Sequence, residues 1–196
     1  MVLNLRRKLS LVTREMTGLL VLDLMEKKLV TNQLVLTIGY DIENLKDKER
    51  AKQYKGEVTT DRYGRKIPKH AYGTANLDSY TSSSKLIMKA ATDLFDRIVD
   101  KNLLVCRINV TVNRVINEKD IPENTGGEQL TLFTDYDALE KRREKEKAKL
   151  ERERNRQEAI LEIRNRYGKN SILRGMNFEE GATAKDRNRQ IGGHKA

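Results

Sequence analysis

Apolar content drops after Val115, with one short stripe of Ile160, Ile163 and Tyr167 beyond it, and this limits where the chain can build a core. Two stretches, residues 1–44 and 71–115, carry helical or strand periodicity. Residues 45–70 between them are polar and basic, and charge runs take over from residue 116. Of the 196 residues, 35% are charged and 37% hydrophobic, so a core filling the whole length is not expected. The composition predicts one modest folded region with long polar extensions.

Val12, Met16, Leu19, Leu20 and Leu24 recur at three- and four-residue steps and predict a helix from about Leu11 to Lys28, with Ser10 as N-cap. After Asn32 the period becomes two. Leu34, Leu36, Ile38 and Tyr40 share one strand face, and Val35, Thr37 and Gly39 share the other. A second strand is predicted over residues 71–77, with Tyr72, Thr74 and Asn76 on one face. Ser82, Ser83 and Ser84 offer caps for a helix striped by Ile87, Ala90, Ala91, Leu94, Phe95 and Ile98. In the last strand Leu104, Cys106, Ile108, Val110 and Val112 alternate with Val105, Arg107, Asn109, Thr111 and Asn113, which predicts a sheet with one exposed face. A short strand at residues 2–5 (VLNL) would complete an α+β, ferredoxin-like split βαβ unit, βαββαβ, over residues 1–115.

The formal net charge of +10 favours a polyanionic partner. Lys55, Arg62, Arg65, Lys66, Lys69 and His70 lie in the middle loop, and the stretch 62–70 contains no carboxylate. Such cations suit phosphate contacts, which position a duplex without reading its sequence. Tyr72, Thr74, Asn76, Arg107, Asn109 and Thr111 add short polar groups on the presumed outer sheet face. An RNA-recognition module has the same topology but stacks bases on sheet aromatics. Here Tyr72 is the one aromatic expected on that face, which argues for backbone contact. Cys106 has no partner for an internal disulfide and reads as a small buried hydrophobe. No stretch approaches the roughly 20 apolar residues that span a bilayer, and the basic N-terminus lacks a signal-peptide run. A cytoplasmic protein with no membrane partner is expected.

Residues 116–134 read as a linker holding Gln129, Leu130, Leu132 and Phe133. Large apolar anchors in a polar linker suit insertion into a partner's groove. Residues 135–168 predict a charged helix with opposite charges at i,i+3, Glu140–Arg143, Glu144–Lys147, Glu151–Arg154 and Glu153–Arg156, ended by Gly168. Residues 169–196 read as a flexible tail.

Together these pieces resemble the C-terminal part of a Y-family translesion DNA polymerase, of the UmuC/DinB-like group in Gram-positive bacteria. The resemblance rests on LVLTIGYDIENL (34–45), HAYGTANLDSYTSSSKLI (70–87), the strand LLVCRINVTVNRV, and the segments IRNRYGKNSILRG (163–175) and TAKDRNRQIGGHKA (183–196). It implies a little finger domain that grips DNA during lesion bypass in DNA repair, as in the SOS response. Gln129, Leu130, Leu132 and Phe133 match the QLxLF peptide by which such polymerases bind the β sliding clamp.

The palm of such an enzyme carries the carboxylates that hold two Mg²⁺ ions, and it would lie before residue 1. The chain is therefore expected to have no catalytic residue, metal site or cofactor of its own. It would be a natural truncation, a split-gene product or an excised piece, with the polymerase core in trans as a further partner in the split case. The rival expectation is a stand-alone nucleic-acid-binding regulator of RNA-recognition topology, without clamp or polymerase.

Overall fold

A computed structural model describes residues 2–122, 136–191 and 194–195. The fold is mixed α+β around an antiparallel sheet. The long helix α1 (Val2–Glu26) leads into β1 (Leu29–Tyr40), a 12-residue strand. Two short helices, α2 (Glu43–Lys46) and α3 (Lys48–Gln53), and a small hairpin, β2 (Val58–Thr60) and β3 (Lys66–Pro68), come next. Then follow β4 (Ala71–Thr81), α4 (Ser84–Ile98), β5 (Val105–Asn113) and the two-residue β6 (Ile116–Asn117). The C-terminal part contains α5 (Tyr136–Tyr167), the short α6 (Ala184–Arg187), and a final pairing of β7 (Gln190–Ile191) with β8 (His194–Lys195).

Strand β1 is central: β4 and β5 flank it, and β6 pairs with its first residues. Leu34, Leu36 and Ile38 are fully buried and face α1 and α4, joined there by Val21, Leu24, Ile87, Leu94 and Phe95. Each such side chain contributes about 1.5–3 kcal/mol by leaving water. On β4 the inward positions are Ala71, Gly73 and Ala75. A Cβ on Gly73 would lie 2.8 Å from Ile98 Cγ2 and 2.8 Å from Leu94 Cδ1, so glycine lets α4 lie close to the sheet. Ser83 caps α4, its hydroxyl accepting from Leu86 N.

The expected first strand does not form. Residues 2–5 belong to α1, so the βαββαβ order loses its opening strand and the sheet gains only β6. The reason is local: leucine, arginine and lysine are good helix formers, and no breaker separates residue 2 from the periodic stretch. Ser10 accordingly lies mid-helix instead of capping it. The buried polar residues of α1 are satisfied in part by the helix itself, with Thr13 Oγ1 donating to Leu9 O and Thr17 Oγ1 to Thr13 O. Cys106 is a second correction. The register shifts between Gly39 and Tyr40, pairing Tyr40 with Val105, so Val105 packs on the core and Cys106 is exposed.

Within the segment expected to be a flexible tail, residues 177–187 instead fold back on α1. Their anchor is Glu15, whose side chain is fully buried. Its carboxylate accepts from Asn177 Nδ2 at 2.8 Å, from Thr183 N at 2.8 Å, from Thr183 Oγ1 at 3.2 Å and from Arg187 Nη2 at 3.1 Å. Burial pushes the Arg187 guanidinium down from its usual range, and the Glu15 charge opposes that. Gly181 makes the turn between these donors in the left-handed region, at φ +91. Helix α5 docks through Gln157, which is buried and donates to Ser84 Oγ, and through Glu153, which accepts from Ser83 Oγ at 2.8 Å and Lys85 N at 2.9 Å. Gly168, at φ +95, ends the helix.

Replacing Glu15 with alanine leaves four donors, one of them cationic, without their acceptor. Urea unfolding is expected to show a loss of about 2–4 kcal/mol. Amides of residues 175–191 should exchange faster in the variant. Unchanged stability together with unchanged exchange would mean that Glu15 does not hold this segment.

Candidate nucleic-acid interface

The register across β4, β1 and β5 builds the outer sheet face row by row. Directly paired residues point to the same side of a sheet. Asn76, Gln33 and Asn113 form one row, tied by Gln33 Nε2 donating to Asn76 Oδ1 at 2.9 Å and Asn113 Nδ2 donating to Gln33 Oε1 at 3.2 Å. Thr74, Val35 and Thr111 form the next, and Tyr72, Thr37 and Asn109 the third. At the far end Gly39 pairs with Arg107. A Cβ on Gly39 would come within 3.2 Å of Arg107 Cβ, so glycine leaves room for the arginine stem to stand up from the face.

This face thus brings together six residues singled out from sequence: Tyr72, Thr74, Asn76, Arg107, Asn109 and Thr111. Tyr72 is 61% exposed and is the face's aromatic group. Gln33, Thr37 and Asn113 belong to the same surface but were not named as candidates. Their positions alternate in phase with the others, and that phase was the available signal. Among the described residues, α1 and α4 cover the opposite, apolar face.

The hairpin β2–β3 carries the basic loop residues to the Tyr72–Arg107 end of the sheet, since only Lys69 and His70 separate β3 from β4. Asp61 forms its turn, accepting from Tyr63 N at 2.8 Å and Arg65 N at 2.9 Å. Gly64 completes the turn at φ +76. Arg62 and Arg65 lie over the Tyr63 ring, 5.4 and 5.1 Å from its centroid.

Two of the expected phosphate ligands are already paired. Arg65 Nη2 lies 2.7 Å from Asp61 Oδ2, and Lys69 Nζ lies 2.5 Å from Glu57 Oε2. The hydrogen bond from Lys69 holds the Glu57 carboxyl below its usual range, and the Glu57 carboxylate raises the Lys69 ammonium. The carboxylate-free stretch 62–70 is therefore flanked in space by acids from residues 57 and 61. Lys55, Arg62, Lys66, His70 and Arg107 are exposed and make no ion pair among the described residues.

The acidic pair Asp41 and Glu43 forms a turn, with Asp41 Oδ1 accepting from Glu43 N at 2.9 Å. Buried Asn44 locks this turn to the start of β5 through Leu104 N and Leu104 O, at 2.8 and 2.9 Å. Among the described residues no three His, Cys, Asp or Glu side chains converge as metal ligands, and no helix is long and apolar enough to cross a membrane. Gln129, Leu130, Leu132 and Phe133 lie outside the described residues. No family model, curated protein or solved structure matches the chain.

Freeing Lys69 should strengthen contact with a polyanion. For Glu57→Gln, fluorescence anisotropy with a 20-base-pair duplex at 100 mM salt should show affinity rising roughly two- to five-fold. The slope of log K against log salt should steepen by about 1. An unchanged slope would remove Lys69 from the interface.

Proposed function

We propose that the chain is a DNA-binding and clamp-binding module of a Y-family translesion polymerase, corresponding to its little finger domain and C-terminal extension, and that it does not polymerise by itself. The observation that carries the DNA half is the outer sheet face, where amide, hydroxyl and guanidinium groups and one aromatic residue surround Val35. Such groups suit sugar and phosphate contacts, whereas base stacking draws on several aromatic side chains. The exposed cations Lys55, Arg62, Lys66, His70 and Arg107 add the electrostatic attraction that dominates affinity for a duplex.

The little-finger reading assigns α1, β1, β4, α4 and β5 to the domain's two-helix, sheet-backed plan. The clamp half rests on the peptide Gln129-Leu130-Thr131-Leu132-Phe133 and its place between the sheet domain and α5. In this reading the sheet face positions the template duplex, and the peptide tethers the assembly to the β sliding clamp. The polymerase core is the partner that supplies chemistry.

For duplex binding, about six phosphate contacts would make affinity fall roughly 10³-fold between 50 and 200 mM salt, with weak sequence preference. The double variant Lys66→Gln/Arg107→Gln should lower the slope by about 2. A flat salt response in the unmodified protein would remove the DNA reading.

Clamp association is checked separately. Purified β clamp should be captured by the immobilised protein and lost with Leu132→Ala/Phe133→Ala. Undiminished capture by that variant, or no capture at all, sinks the clamp half. A primed template with nucleotides and Mg²⁺ should give no extension unless a polymerase core is added.

A further inference from the structure

Helix α5 sorts its charges by direction. With 3.6 residues per turn, successive side chains are turned by roughly 100°. Counted from Lys141, the residues Arg152, Lys145, Arg156 and Lys149 follow within an arc of roughly 80°. No carboxylate falls in that arc. Glu140, Glu144, Glu151, Glu158 and Glu162 cluster on another flank. The docking side, with Glu153, Gln157, Ile160 and Arg164, lies between the two.

The two flanks differ in how their charge is balanced. Among the acids, Glu158 receives Arg154 Nε at 3.0 Å, and Arg154 also grips Glu118, with Nη2 at 3.0 Å from Oε2. Arg143 and Lys147 follow Glu140 and Glu144 at i,i+3. The five cations of the basic flank are all exposed and form no hydrogen bond or ion pair among the described residues.

Like charges stand at i,i+4 on both flanks, Lys141–Lys145, Lys145–Lys149 and Arg152–Arg156 on the basic one, Glu140–Glu144 and Glu158–Glu162 on the acidic one. Opposite charges at i,i+3 and i,i+4, such as Glu146–Lys149 and Lys149–Glu153, offset them, so helix stability is nearly indifferent to the arrangement. What sets the basic flank apart is its direction: five exposed cations share one narrow arc that holds no carboxylate.

We propose that the basic flank of α5 is a second docking surface for the phosphate backbone of duplex DNA. The stripe runs about 22 Å, the roughly 1.5 Å rise per residue taken over the 15 steps from Lys141 to Arg156. A duplex presents a phosphate about every 3.4 Å of axis on each strand over that length. The docking contacts of Glu153, Gln157 and Arg154 fix the rotation of α5 about its axis, so the stripe faces one direction relative to the sheet domain. The proposal rests on the reading of the protein as a DNA-binding module, and it adds a surface that the sheet face does not include.

The test uses the full chain with Lys141, Lys145, Lys149, Arg152 and Arg156 all changed to glutamine, and a 30-base-pair duplex as probe. The slope of log K against log salt should fall by about 3 or more. Melting temperature should change little, because the repulsions and attractions removed along the helix offset each other, and circular dichroism checks that the helix persists. The control Glu140→Gln/Glu144→Gln/Glu151→Gln alters the same helix and should not lower the slope.

An unchanged slope in the five-site variant overturns the proposal. So does a variant that keeps duplex binding but loses binding to single-stranded RNA or to phosphatidylserine vesicles. If Lys66→Gln/Arg107→Gln lowers the slope and the five-site variant does not, the DNA reading stands and the stripe falls. If neither responds, the DNA reading itself falls.

Discussion

The pairing of β1 with strands on both sides is the constraint on which the rest of the molecule depends. Leu34, Leu36 and Ile38 are fully buried, and the residues between them are Val35 and Thr37. A slip of one residue would send the leucines to solvent and the threonine under α4, so the register is held by burial on one side. Once it is held, the pairings across the outer face are set as well. Gln33 must meet Asn76 and Asn113, and Thr37 must meet Tyr72 and Asn109. The candidate interface is thus a by-product of core packing, carried at a fixed spacing by a strand that cannot move.

A second layer of organisation comes from the C-terminal part, which contributes polar contacts to the helical side. Glu15 would be costly to bury alone, and it is stable there because Asn177, Thr183 and Arg187 converge on it. Glu153 and Gln157 do similar work at the start of α4, where unpaired amides and serine hydroxyls need partners. Residues far apart in sequence, 15 with 187 and 84 with 157, close the helical layer from its outer side. The orientation of α5 follows from these contacts, since the helix has few apolar residues with which to pack.

Period and alternation made much of the sheet legible. The stripe Ile87, Ala91, Leu94 and Phe95 and the alternation of residues 34–40 and 107–113 lead directly to the buried and exposed faces. What misled was information carried by context. Residues 2–5 look like a strand because they are short and apolar, yet they continue an uninterrupted run of helix formers. Cys106 alternates in phase with Leu104 and Ile108, and only the register shift opposite Gly39 and Tyr40 turns it outward. The tail looked free because its donors, Asn177, Thr183 and Arg187, are polar, and nothing near them in sequence reveals the carboxylate they share. The stretch 62–70 contains no carboxylate, yet a hairpin brings Glu57 and Asp61, which precede it, back beside it.

The three charged surfaces now differ in a way that composition alone hides. On the hairpin, Arg65 and Lys69 are partly neutralised and stiffened by their acids, while Arg62 and Lys66 remain available. On the sheet, one guanidinium stands among amides and hydroxyls, which act over hydrogen-bond distances and are indifferent to salt. On α5, five exposed cations form no ion pair among the described residues. Exposed charges act over about a Debye length, roughly 10 Å at 0.1 M salt, whereas the amides and hydroxyls of the sheet face act only on contact. An incoming polyanion would therefore feel α5 and the hairpin first and the sheet last. In the proposed reading, the basic elements supply the attraction for a nucleic-acid backbone, and the amides and hydroxyls of the sheet face supply its close-range contacts.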